Sequence, residues 1–289
     1  MVKLKIRGVS FSYGSVDALK EVSFEVEGGE VLSVVGPNGS GKTTLLKCID
    51  GILRPRVGSV LVDDVDLREL EGEERAKLLG LVPQLEGSRF PITVFEAVLL
   101  GRLHSLSWRV GDDALTLVSE VLEDLEIEDL ASKYLNELSG GQKQMVSIAQ
   151  SLVREPKVLL MDEPTSSLDL QHQLEVLDLI RDVTVEREIT TLIALHDLNL
   201  AARYADKIVV LHNGTVYASG KSAPVLTPEM VRHIYGVNAT VYVDGDGIPQ
   251  ITPISSVRRK LRANKSNKES KGGDKNKKRK RVERKKNHG

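Results

Sequence analysis

Apolar residues along this chain follow two spacings, and the switches between them mark its elements. Val2, Leu4 and Ile6 fall on every second position, as do Val22, Phe24 and Val26, with Gly14-Ser15 between the two runs. A period of two turns one side of each strand to a core, so residues 2–27 are predicted to form an antiparallel hairpin layer, with Tyr13 at the end of its first strand. Val31 to Val35 is instead a near-continuous apolar run, which fits a strand covered on both faces. Gly51 and Pro55 then break the chain, Gly58 to Asp63 reads as a short edge strand, and LGLVPQ is a short apolar strand ending in Gln84. From Gly87 to Arg154 the period becomes helical: Val118, Val121, Leu122 and Leu125 follow Asp112, a candidate N-cap, and Met145, Ile148, Ala149 and Leu152 repeat the spacing. Strands return at Val158 to Met161, Thr190 to Leu195 and Lys207 to Leu211, with a helix carrying Val176, Leu179, Ile180 and Val183 between the first two. An Asn213-Gly214 turn leads to a strand over Thr215 to Ser219, Thr227-Pro228 caps a helix, and Thr240 to Val243 pairs with Ile248 to Ile254 as a last hairpin. The order predicts an α/β fold: a mixed or parallel sheet, an antiparallel β layer and a helical subdomain inserted over about residues 87–154.

The apolar run at Val31 to Val35 is followed by Gly36, Pro37, Asn38, Gly39, Ser40, Gly41, Lys42, Thr43 and Thr44. This is the P-loop spacing, strand before and helix after, so the core is predicted to be that of a P-loop NTPase. Its glycines let consecutive N–H groups turn inward around a phosphate chain at the positive end of the next helix. Lys42 then neutralises the β- and γ-phosphates of ATP, and the Thr43 hydroxyl ligates Mg²⁺. Asp162-Glu163 follows a buried strand, which places Asp162 on the Mg²⁺ and Glu163 where it polarises the attacking water. His196 ends another strand on the same sheet edge as Gly36 and Glu163, where ligands of open α/β sheets gather. Ser139-Gly140-Gly141-Gln142 opens a helix; it reads as an anion site at the helix dipole or as an ordinary Ser cap with two glycines. By local pattern alone, Tyr13 reads as either a packing residue or a base-stacking one, and Gln84 as a surface residue.

The totals hide a divided charge. The formal net charge is −1, but residues 258–289 hold 16 Lys+Arg against 3 Asp+Glu, which leaves 24 basic and 38 acidic residues, a net of −14, in residues 1–257. The basic stretch is nearly free of apolar residues and is expected to be disordered and solvated, with anionic lipid or nucleic acid as alternative partners. The single Cys48 excludes an internal disulfide. No apolar run approaches the roughly 18–20 residues of a membrane span, and the first residues lack the apolar core of a signal peptide, so a cytosolic location is expected.

Taken in order, Tyr13, GPNGSGKT, Gln84, LSGGQ, LLMDE, SLD and His196 resemble the nucleotide-binding subunit of ABC transporters. The resemblance implies that residues 1–256 are the nucleotide-binding domain and 257–289 a basic tail outside the usual pattern. It implies that Tyr13 stacks on adenine, that Gln84 touches Mg²⁺ and the attacking water, and that His196 holds the γ-phosphate and positions Glu163. It further implies that Ser139 to Gln142 bind the ATP held by a second copy, with Asp169 coupling the two sites, so that two copies form a head-to-tail dimer around two ATP molecules. Longer stretches, among them SSLDLQHQLEVLDLIRDV and HIYGVNATVYVDGDGIPQITPI, are similar to ATPases of metal-chelate importers handling iron–siderophores, haem and cobalamin. The implied setting is the cytoplasmic face of the membrane, against integral-membrane permease subunits served by an external substrate-binding protein. A soluble ABC ATPase acting on nucleic acid or ribosomes is the alternative; the single set of motifs argues against it, and no nucleic-acid partner is expected.

Overall fold

The computed structural model describes residues 3–83, 91–102 and 111–257. Val2, Gln84 and the basic segment from Arg258 lie outside the described residues, as do parts of the expected helical insertion at 87–90 and 103–110.

The chain opens with β1 (Leu4–Tyr13) and β2 (Val16–Val26), an antiparallel hairpin in which Leu4 faces Val26 and Ile6 faces Phe24. Next come β3 (Val31–Val35), α1 (Lys42–Asp50), β4 (Val57–Val62), β5 (Val65–Asp66), α2 (Gly72–Leu78) and β6 (Leu79–Val82). The helical insertion carries α3 (Val94–Leu100), α4 (Asp112–Asp124) and α5 (Gly140–Leu152). It is followed by β7 (Val158–Asp162), α6 (Leu170–Glu186), β8 (Thr190–Ala194), α7 (Leu198–Tyr204), β9 (Lys207–His212) and β10 (Thr215–Gly220). Two short helices, α8 (Ser222–Val225) and α9 (Pro228–Met230), run into a π-helical turn at Val231–Tyr235 and a final hairpin of β11 (Val237–Val243) and β12 (Pro249–Ser256). Thr227 caps α9 by accepting from the Met230 N–H, as its sequence indicates.

Two sheets are stacked. The antiparallel layer has the order β2-β1-β4-β5, and the central sheet the order β10-β9-β3-β8-β7-β6, parallel throughout except for β10. Successive residues of the central strands therefore serve different cores. Leu32, Val34, Leu160, Leu192 and Val209 face α1 and the antiparallel layer, while Val31, Val35, Leu159, Ile193 and Val210 face the helices on the other side. This explains why the sequence of β3 reads as nearly all apolar while that of β1 alternates. Cys48 lies in the first of these cores, where burial pushes its thiol up to about 12 and leaves it inert.

Two expectations are corrected. The strand at 57–62 is not an edge, because the two-residue β5 pairs along its outer side, a contact too short to leave a sequence signature. The N-cap of α4 is Gly111, in extended conformation, and Asp112 is the first helical residue; with Asp113 it still places negative charge on the positive end of the helix. The helices α2 and α7 also appear where the sequence suggested only connections, their seven-residue lengths being too brief for a clear period.

Val118, Val121 and Leu122 bury one side of α4 in the helix-side core, whereas Leu115 on the same helix is 38% exposed. Leu122→Ala is expected to cost about 2–5 kcal/mol in urea unfolding, and Leu115→Ala under about 0.5 kcal/mol. Equal losses in the two variants would show that the buried side of α4 is assigned wrongly.

Candidate active site

The loop between β3 and α1 is shaped by what its glycines exclude. At Gly36 a Cβ would lie 2.3 Å from the Leu211 carbonyl oxygen and 2.6 Å from Ser40 Oγ. Gly41 has φ 108°, and a Cβ there would lie 2.8 Å from the Ala18 carbonyl oxygen and 2.9 Å from Leu19. The loop is thus clamped between β9 and the hairpin strand β2. Pro37 accepts from the Ser40 N–H at 3.1 Å, while Asn38 and Gly39 stand exposed at its crest. No side chain caps α1, so the N–H groups at Lys42, Thr43 and Thr44 open its positive end to an anion.

Lys42 is 5% exposed; its Nζ donates to the Gly36 carbonyl at 2.9 Å and lies 3.9 Å from Glu163 Oε1. Burial lowers its pKa, against the attraction of Glu163 and Asp162. The Thr43 hydroxyl donates to Asp162 Oδ1 at 3.1 Å, and burial raises the Asp162 pKa, an effect that this hydrogen bond partly offsets. Glu163 follows directly in left-handed backbone (φ 54°), a conformation costing a non-glycine residue about 1–2 kcal/mol. Its own N–H, donating to the Ala194 carbonyl, and its carbonyl, accepting from Ser166, hold that turn. The turn carries its carboxylate back across the end of β8, where Oε1 lies 2.5 Å from His196 Nε2. Gly36, Lys42, Thr43, Asp162, Glu163 and His196 therefore meet on one rim, where β3, β7 and β8 end.

A second group forms at the start of α5. Ser139 caps this helix: its hydroxyl accepts from the Gln142 N–H at 3.3 Å, and the Gln142 side chain accepts from the Ser139 N–H at 3.0 Å. Asp169 caps α6 in the same manner by accepting from the His172 N–H, and its carboxylate also meets His172 Nδ1 at 2.7 Å. These contacts lower the Asp169 pKa and raise that of His172. A Cβ on Gly141 would lie 2.5 Å from the His172 ring, so glycine at 141 is what lets the two helix starts touch. His172 was not singled out in the sequence; its signal was the Asp-x-x-His spacing at a helix start. Ser139, Gly140, Gly141 and Gln142 thus sit at the start of α6, the helix that Asp169 caps. Tyr13 is 52% exposed at the tip of the β1–β2 hairpin, its ring edge-on to Phe11 at 4.9 Å. Gln84 lies outside the described residues.

The residues fit a nucleotide and a small hard cation. Ser40 Oγ is buried in the loop with no partner among the described residues. Thr43 and Asp162 present two oxygens beside the open helix start, the donor type Mg²⁺ takes when phosphate and water complete its shell.

The model for a family described as ABC transporter matches residues 19–166. An uncharacterized ABC transporter ATP-binding protein of Methanocaldococcus jannaschii is 46% identical over 87% of this chain and 98% of its own. A hemin import ATP-binding protein of Rhodopseudomonas palustris is 37% identical over 86% of this chain and 97% of its own. Among solved structures, an inward-facing putative metal-chelate type ABC transporter aligns with a TM-score of 0.77 at 27% identity, covering 88% of this chain and 98% of the other. The family model covers more than half of the chain and these relatives are matched over nearly their whole length, so the chain belongs to the ABC transporter family, as an ATP-binding cassette that hydrolyses ATP with Mg²⁺.

Proposed function

We propose that this chain is the ATP-hydrolysing subunit of an importer of metal chelates, the class of iron–siderophores, haem and cobalamin. In this reading it sits at the cytoplasmic face of the membrane on separate permease subunits, which receive cargo from an external substrate-binding protein. The relatives' names support the class of cargo, and no helix among the described residues is long and apolar enough to cross a membrane. Residues 1–256 form the nucleotide-binding domain, with the basic tail appended.

The observation that carries the catalytic part is the contact of Glu163 with His196 beside Lys42. Lys42 and the loop N–H groups hold the phosphates, and Tyr13 offers an exposed ring to the adenine. Thr43 and Asp162, with Gln84, would hold Mg²⁺, which would supply charge neutralisation to the phosphates. His196 fixes the Glu163 carboxylate, which takes the proton from a water attacking the γ-phosphorus as the bond to the ADP oxygen breaks. The group at Ser139 to Gln142, packed at the start of α6, serves the ATP of a second copy, in a head-to-tail dimer that opens when the γ-phosphate contacts are lost.

Glu163→Gln is expected to keep ATP affinity, to trap an ATP-bound dimer on size-exclusion chromatography, and to lower kcat by about 100- to 10,000-fold. Turnover at the wild-type rate would remove Glu163 as the base. Lys42→Ala is expected to weaken ATP binding itself in calorimetric titration, and an unchanged Kd would count against the loop assignment. For the cargo, the chain reconstituted in vesicles with its co-purifying permease and binding protein is expected to hydrolyse ATP faster with one of a ferric siderophore, haemin or cobalamin. Indifference to all three would overturn the metal-chelate reading.

A further inference from the structure

A cleft of about 680 Å³ lies between the end of α4, the start of α5 and α6, with no residue of the phosphate loop in its lining. Its upper end is Gly141 and Gln142, and its walls are acidic. Glu126 and Asp129 lie in the turns that follow α4, while Glu175, Asp182 and Glu186 form a helical stripe along α6; all five are exposed, and none forms an ion pair among the described residues. Asp178, in the same stripe, accepts from the Tyr204 hydroxyl at 2.9 Å, and Asp124 is neutralised by Arg187, the one lysine or arginine in the lining. A concave surface with this much uncompensated negative charge is costly alone and favours a polycation.

The chain carries such a polycation. Residues 258–289 hold 16 Lys+Arg against 3 Asp+Glu, opposite in sign to the −14 of residues 1–257. Val257 is tied to Gly236, β12 is held on α7 farther upstream by Asn199 through paired hydrogen bonds with Ile251, and α7 packs on α6 through the contacts of Tyr204 with Asp178 and Arg181. The hairpin from which the tail emerges thus shares the helix-side core with α6. Its 32 residues have a coil span of roughly 30 Å, and tethering gives them a local concentration on the order of millimolar at surfaces within that reach.

We infer that the basic segment 258–289 docks in the acidic cleft between α4, α5 and α6 of its own chain, held by charge rather than by apolar burial. The occupant is a lysine- and arginine-rich peptide already attached to the protein, so it competes favourably with lipid, nucleic acid or a second copy.

The test is carbodiimide cross-linking, which joins lysine to a touching carboxylate without a spacer, on the full chain in an equal mixture of light and heavy-nitrogen protein, read by mass spectrometry. Tail lysines such as Lys265, Lys271 and Lys278 are expected to join Glu175, Asp182 and Glu186 at least about fivefold more often than the exposed Glu21, Glu69 and Glu229, given the tethered concentration. Links are expected within single chains, and to fall severalfold at about 0.5 M NaCl, where screening shortens to about 4 Å. Asp182→Lys together with Glu186→Lys is expected to cut the remaining links to Glu175 and Glu126 by a similar factor. Even scatter over all exposed carboxylates, or links unaffected by that double variant, would overturn the proposal. Links between light and heavy chains would assign the cleft to a second copy instead. Tail lysines that are protected only when anionic vesicles or nucleic acid are added would likewise overturn it.

Discussion

The structure depends on one close approach, that of Gly36 to the Leu211 carbonyl at the end of β3. Strand β3 is central to the sheet, buried on both faces and paired in parallel with β8 and β9. Where it ends, the chain must turn at once into α1, and only a hydrogen at Gly36 leaves room beside β9. That turn sets the position of Lys42 and Thr43 relative to the ends of β7 and β8. The geometry of the rim is thus fixed by packing: a methyl group at residue 36 would push the loop off the sheet and carry the Thr43 hydroxyl with it.

The electrostatics of the rim follow from this placement. A buried ammonium group is costly alone, and Lys42 is held by a carbonyl and two nearby carboxylates that are themselves partly desolvated. Such a cluster is balanced without being saturated, because the contacts among these groups use only Oδ1 of Asp162 and Oε1 of Glu163. A site of this kind gains from the arrival of an anionic nucleotide with its cation. The same logic applies at the helix starts of α5 and α6, where caps satisfy the local N–H groups while Gly140 and Gly141 keep the surface low.

The charge division seen in the totals also has a spatial form. The acidic excess of residues 1–257 is concentrated partly along one stripe of α6, whose spacing of 175, 178, 182 and 186 keeps four carboxylates on one side. The sequence showed that excess and the basic tail as separate facts. The cleft between the insertion and α6 gathers part of that excess into one place, opposite in sign to the basic tail.

The sequence alone determined what depends on near neighbours. The period of β1, the continuous apolar run of β3, the glycine spacing of the phosphate loop, the caps at Ser139 and Thr227, and Asp162-Glu163 at a strand end all rest on contacts a few residues apart, which local pattern encodes. Boundaries set by weak local signals, such as the cap of α4 and the two-residue β5, were misread or missed. Tertiary structure decided which distant residues meet: Thr43 with Asp162 across 119 positions, Glu163 with His196 through a left-handed turn, and Gly141 against His172. Those meetings depend on the register of parallel strands and the docking of helices, and a parallel register is fixed by packing two cores at once rather than by any short stretch of chain.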